Sequence, residues 1–150
     1  MNKKDVQEEL KISMLAKNEL KTSVLRMLLS AINYYEIQKG GAGYNASEED
    51  VLTVIGNQAK QRRDSIEQFK NAGRQELVNK ETKELEILQV FLPEQLSEEE
   101  VTKLVKEAIS QTNANSIADM GKVMGALMPK IKGKADGNLV SLVVKKELTS

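Results

Sequence analysis

The chain has 150 residues, of which 40% are hydrophobic and only 3% aromatic, and its 22 basic residues are balanced by 22 acidic ones. A neutral chain is not a general polyanion binder, so any nucleic-acid contact has to be local. With neither cysteine nor histidine, disulfides, thiol nucleophiles and the commonest general base are all excluded.

This length allows one domain or two small ones. With so few aromatic residues, the core falls to Leu, Ile, Val, Ala and Met, a set that suits helices better than sheets. The polar N-terminus has no apolar run for a signal peptide or a membrane span. A cytoplasmic protein is the expectation.

Val6, Leu10 and Met14 space out a first helix over about 3–17, and a polar break follows at Lys17-Asn18. The second helix, about 19–38, is apolar nearly all round between Val24 and Tyr35. Only Arg26, Ser30 and Asn33 interrupt it, on one narrow face. Such a helix is buried on most sides, which predicts the central helix of an N-terminal bundle. Its polar face reads as a solvent-facing edge or as a site.

Gly40-Gly41-Ala42-Gly43 reads as a loop, and it lacks both the Gly-Lys-Ser/Thr ending and the preceding strand of a phosphate-binding loop. A long helix is predicted from Ser47 to about Ala72, with Glu48, Glu49 and Asp50 in its first turn and Gly73 as its stop. Its stripe is Val51, Ile55, Ala59, Ile66 and Phe69. At 100° per residue Arg62 falls in the middle of that stripe. A bare charge there is costly. Either the guanidinium snorkels out, or it is buried against a carboxylate of another helix, or it lines a cleft as an anion contact. A fourth helix, about 74–91, ends at Pro93.

Leu92-Pro93-Glu94-Gln95-Leu96 reads as a boundary between an N-terminal helical domain, 1–92, and a three-helix C-terminal domain, 97–150. Ser97 and Glu100 form a capping box for a helix striped by Val101, Leu104, Val105, Ala108 and Ile109. Next comes a motif helix with a stripe of Ile117, Met120, Met124, Leu127 and Met128. Ser116 and Asp119 give it a capping-box-like start, and Pro129 is its expected end. Gly121 and Gly125 edge this stripe. Two helix-interior glycines point to close approach, either by the final helix through Val140 and Val144 or by a ligand in a groove. Lys130, Lys132 and Lys134 alternate after Pro129, Gly133 and Gly137 bend the chain, and Asp136 is the expected N-cap of a last helix over about 138–148.

These last residues carry a resemblance. Gly121-Lys122-Val123-Met124, then Gly133-Lys134-Ala135-Asp136 before a valine-rich helix, resembles the tail domain of the GatB subunit of the aspartyl/glutamyl-tRNA amidotransferase. Over its whole length, with Asn71-Ala72-Gly73-Arg74 and Leu92 to Glu100, the chain is similar to the free-standing YqeY family. Ile117 departs from the pattern, standing where a polar or basic residue is expected. The helical stripes predict an all-α fold, and the resemblance implies a tRNA-holding role. It also brings the label of a carbon–nitrogen ligase with glutamine as amido-N-donor. The chemistry behind that label belongs to a separate amidase subunit and to the large catalytic part of GatB.

No catalytic residue and no cofactor is assigned, and a metal would have only carboxylates to bind it. The acids, Glu84 and Glu86 included, read as helix caps or solvated faces. From Ala118 to Lys146 there are six basic residues, Lys122, Lys130, Lys132, Lys134, Lys145 and Lys146, and two acids, Asp119 and Asp136, which leaves +4 in a neutral protein. Together with Gly133 these lysines are the candidate RNA contacts, since lysines near a helix N-terminus and a glycine bend can cradle a phosphate. Three readings stand: a tRNA-binding accessory module, an adaptor whose glycine-edged groove takes a partner's helix, and a non-catalytic subunit of an amidotransferase-like enzyme.

Overall fold

The computed structural model describes residues 1–149, and among these the fold is all-α, with seven α-helices, one 3₁₀ turn and no strand. Met1–Leu92 forms one compact unit and the chain from Pro93 onward forms a second.

The first unit consists of α1 (Lys3–Leu15), α2 (Glu19–Gly40), α3 (Glu48–Asn71) and α4 (Gln75–Gln89). Their starts follow from side-chain caps. Asn2 and Asp5 close a capping box on α1, Asn18 accepts from the Lys21 amide, and Ser47 and Asp50 close a second box on α3. At the end of α3, Gly73 takes a left-handed φ of 72°, and the amides of Gly73 and Arg74 return to the carbonyls of Lys70 and Phe69. This is the Schellman closure that turns the chain back into α4. The core is Val6 from α1, Val24, Leu25, Leu28 and Ile32 from α2, Val51, Val54 and Ile55 from α3, and Leu88 from α4. Each such side chain contributes about 1.5–3 kcal/mol through burial.

Helix α2 packs on α1, α3 and α4, so it is central to its unit, but two expectations for it need correction. It runs on through Gly40, a position where a Cβ would come within 2.9 Å of the Tyr44 side chain. Nor is it buried on most sides, since Met27, Tyr34 and Ile37 are each at least half exposed. Three neighbouring helices do not cover the apolar surface that α2 carries.

The second unit holds α5 (Glu98–Thr112), a 3₁₀ turn (Ile117–Asp119), α6 (Met120–Ile131) and α7 (Gly137–Thr149). Both halves of the Ser97–Glu100 capping box are present. Val101, Val105 and Ala108 of α5 meet Val123, Leu127 and Ile131 of α6 and Val140, Val143 and Val144 of α7. Pro129 does not end α6. It lies in the last turn, where its missing N–H removes one bond, and the closing C-cap bond, from the Lys132 amide to the Met128 carbonyl, is kept at 3.0 Å. Ile131 thereby joins Val123 and Leu127 on the buried face, while Ile117 and Met128 are exposed. The Ser116 side chain makes no cap bond, and the Asp119 carboxylate accepts from the Asn115 amide at 3.0 Å.

Candidate nucleic-acid interface

The turn between α6 and α7 carries Lys132, Gly133 and Lys134, with Lys130 in the last turn of α6. Gly133 has φ 76°, a left-handed conformation that strains any residue with a Cβ. The turn is closed by the Lys134 amide donating to the Ile131 carbonyl at 2.8 Å. It is also held from outside. The Leu96 amide donates to the Lys134 carbonyl at 2.8 Å, and the Gln95 side-chain amide donates to the Gly133 carbonyl at 2.9 Å. Thus the segment read from sequence as a boundary is also the brace of the basic turn. Only chain-distant hydrogen bonds reveal this, and no local pattern announces them.

All six lysines of the stretch are exposed or half-buried at the surface, with Lys122, Lys130, Lys132, Lys134, Lys145 and Lys146 each reaching solvent. They do not share one face. Lys145 and Lys146 are neighbours on α7 and diverge by about 100°, whereas Lys130, Lys132 and Lys134 gather at a single turn. Lys122 lies at the other end of α6. There it helps the Asn115 amide, the larger influence, to hold the Asp119 carboxyl below its ordinary value. At the start of α7 the Asp136 carboxylate accepts from the Asn138 amide at 3.0 Å.

Close packing at Gly121 and Gly125 does not occur. A Cβ built on either glycine meets nothing within 4 Å. Val123, Leu127 and Ile131 turn the opposite side of α6 to the core, so the glycines form an open strip of bare backbone beside Met128.

Arg62 belongs to the other unit. It is only 6% exposed. Its Nη1 is bonded to Glu84 Oε2 and lies 3.3 Å from Glu81 Oε2, and its Nη2 lies 3.7 Å from the Met27 sulfur. Glu84 is therefore not on a solvated face but is as buried as its partner. Arg62 and Glu84 are equally far along the chain from Gly73, so the antiparallel hairpin sets them opposite each other.

A second polar cluster escaped sequence reading. Asp50 is buried and accepts from Lys39 Nζ at 2.6 Å, Tyr35 Oη at 3.1 Å, Tyr44 Oη, and the Ser47 amide at 3.0 Å. The Lys39 ammonium also lies over both tyrosine rings, 5.6 and 5.4 Å from their centroids. Lys39, then Tyr44, then the Ser47 amide hold the Asp50 carboxyl far below the ordinary carboxylate range. Glu36 accepts from the Ala46 amide at 2.9 Å and from Lys3 at 2.8 Å, and these bonds lower its pKa in that order. Both acids tie the loop between α2 and α3 to the helices. Among the described residues no group of three or more acids could hold a metal ion, and no helix is long and apolar enough to cross a membrane.

Comparison with known proteins adds two kinds of similarity. A family model described as Yqey-like protein matches residues 3–148. The chain is 33% identical over 140 residues, 91% of its length, to Altered inheritance of mitochondria protein 41, mitochondrial, of Pyrenophora tritici-repentis, and covers 75% of that protein. The protein of the same name in Clavispora lusitaniae is 33% identical over 126 residues, 82% of this chain and 69% of that one. A shorter match, 40% identical over 57 residues, is to a glutamyl-tRNA(Gln) amidotransferase subunit of Thermococcus gammatolerans. It takes in 35% of this chain and 9% of that protein. The expected cytoplasmic location is overturned by the relatives that match most of the chain, which are named mitochondrial. The lack of an apolar run bears only on secretory and membrane signals. Mitochondrial transit segments are amphipathic and basic instead.

Proposed function

The chain belongs to the Yqey-like protein family, and from that premise we propose that it is a tRNA-binding accessory module that grips the RNA backbone with its C-terminal unit. One observation carries the reading: Lys130, in the last turn of α6, and Lys132 and Lys134, on the turn that follows it, all stand at the surface, and the backbone of that turn is held by Gln95 and Leu96. A braced turn presents cations at fixed spacing, which suits phosphates and reads no sequence. The open strip at Gly121 and Gly125 supports it, since backbone without side chains lets a ribose–phosphate strand come close. The partial likeness to an amidotransferase component named for glutamyl-tRNA supports the choice of tRNA.

The module acts by holding and not by transferring an amide. The purified chain is expected to release no ammonia from glutamine, and turnover that copurifies with it and vanishes in a point variant would contradict this. Gel shifts with total tRNA across a salt series test the binding. Three phosphate contacts predict an affinity falling roughly 20- to 40-fold between 50 and 200 mM salt. The triple variant Lys130→Ala, Lys132→Ala, Lys134→Ala should lose the shift with helicity unchanged. A salt-independent shift would favour the second reading, a partner helix laid on the glycine strip beside exposed Met128.

A further inference from the structure

Met27 and Tyr34, part of the surplus apolar surface of α2, lie along a groove. At one end a cavity of about 630 Å³ opens between α1 and α2, lined by Met14, Lys17, Arg26 and Met27 among others. Met27 also borders a second cavity, of about 180 Å³, with Gln58 and Gln61 of α3. Those two glutamines in turn border a third, of about 270 Å³, with Tyr34 and Gln38. The three form one series. From Glu19 to Gln38, both lining residues, the groove follows α2 for roughly 28 Å at 1.5 Å per residue.

We propose that this groove is a docking site for an amphipathic helix of a partner protein, with acidic residues at the end that meets Lys17 and Arg26. Its length matches a helix of about five turns. Met27 is 50% and Tyr34 66% exposed, and Met14 is exposed too, so the groove offers apolar anchors at intervals with adaptable methionines among them. Charge selects the occupant. The first cavity has two cations, Lys17 and Arg26, against one acid, Glu19. Beyond it the only cation in the lining is Arg62, already taken by Glu84 and Glu81. Asn57, Gln58 and Gln61 are uncharged and supply donors and acceptors for a partner's polar edge. An RNA backbone would find no continuous positive track here, and a membrane surface would not fit a concave trough lined with amides. Lys17 holds a left-handed φ of 55°, which glycine would adopt without strain. Lysine at that position keeps a cation at the groove mouth.

The test uses the full chain and a fluorescent 20-residue helical peptide with leucines at i, i+3 and i+7 spacing and glutamates at one end. Saturable binding by anisotropy is expected. Arg26→Glu, at an exposed position, should weaken it at least tenfold, and a peptide with lysines in place of the glutamates should recover binding to that variant. Ser23→Glu, which lines the same cavity, should weaken the glutamate peptide and not the lysine peptide. Circular dichroism of both variants should match wild type, and their tRNA shift should be unchanged, which separates this site from the basic turn. Absence of saturable binding, an affinity indifferent to Arg26→Glu, or phosphatidylserine vesicles competing the peptide away would overturn the proposal.

Discussion

The two units place their polar groups in opposite ways. Every buried polar or charged residue among those described, namely Ser13, Thr22, Glu36, Asp50, Arg62 and Glu84, belongs to the first unit. The core of the second is apolar throughout, and its lysines are all outside. In the first unit, charge fixes how helices and a loop sit against one another. A buried ion pair is poor at adding net stability, but it penalises any register that separates its members. In the second unit, aliphatic packing makes the fold, and charge stays at the surface.

The largest expected effect breaks the first half of that contrast. Arg62→Leu leaves Glu84 buried beside Glu81 with no cation, and should cost about 3–5 kcal/mol, read as an earlier thermal or urea midpoint. Replacing Arg62 and Glu84 together by Met and Leu should restore most of it. A single variant as stable as wild type would remove the pair from the account.

Next comes Asp50→Asn, which should weaken the ties to Lys39 and speed hydrogen exchange at the Tyr44 and Ser47 amides, with α5–α7 unaffected. The acid side gives the same test in another form. Asp50 and Glu36 have native pKa values below their unfolded values of about 4, so folding releases protons there. Their stabilisation is fully present above about pH 5 and is lost as pH falls through 4 towards the lowered native values. Asp50→Asn should flatten that part of a stability–pH curve. An unchanged curve would mean that the cluster contributes nothing.

Smaller effects sharpen the second half. Gly133→Ala forces a Cβ into a left-handed position and should destabilise the C-terminal unit by about 1 kcal/mol. Gly125→Ala should do the reverse, raising stability by about 0.5–1 kcal/mol, because the position is open and helical. If the strip touches RNA, the same variant weakens tRNA binding while melting later. Destabilisation by Gly125→Ala would contradict the open face.

Local signals carried most of the fold. The capping box at Ser97, the acids after Ser47, the stop at Gly73 and the 3.6-residue stripes placed the helices to within a few residues. Arithmetic at 100° per residue put Arg62 on the apolar face. Its partners did not follow, because they depend on how α3 and α4 pair, although the pivot at Gly73 holds that information. The Asp50 cluster was hidden for a similar reason: its capping role is local, whereas Tyr35, Lys39 and Tyr44 reach it only through the turn after α2. Pro129 misled because a proline so near a helix end costs little. Gly121 and Gly125 misled because spacing alone does not say which side of α6 faces the core, and Ile131, beyond the proline, decided it.

Charge inside the first unit builds structure, and under the proposed function charge outside the second unit grips RNA. Melting temperature and tRNA affinity measured together on two variants test it most directly. The triple alanine variant at Lys130, Lys132 and Lys134 should melt as wild type and lose tRNA, and Glu84→Leu should melt earlier yet bind tRNA normally while folded. A lysine variant that still binds, or a Glu84 variant that melts as wild type and loses tRNA, would contradict the account.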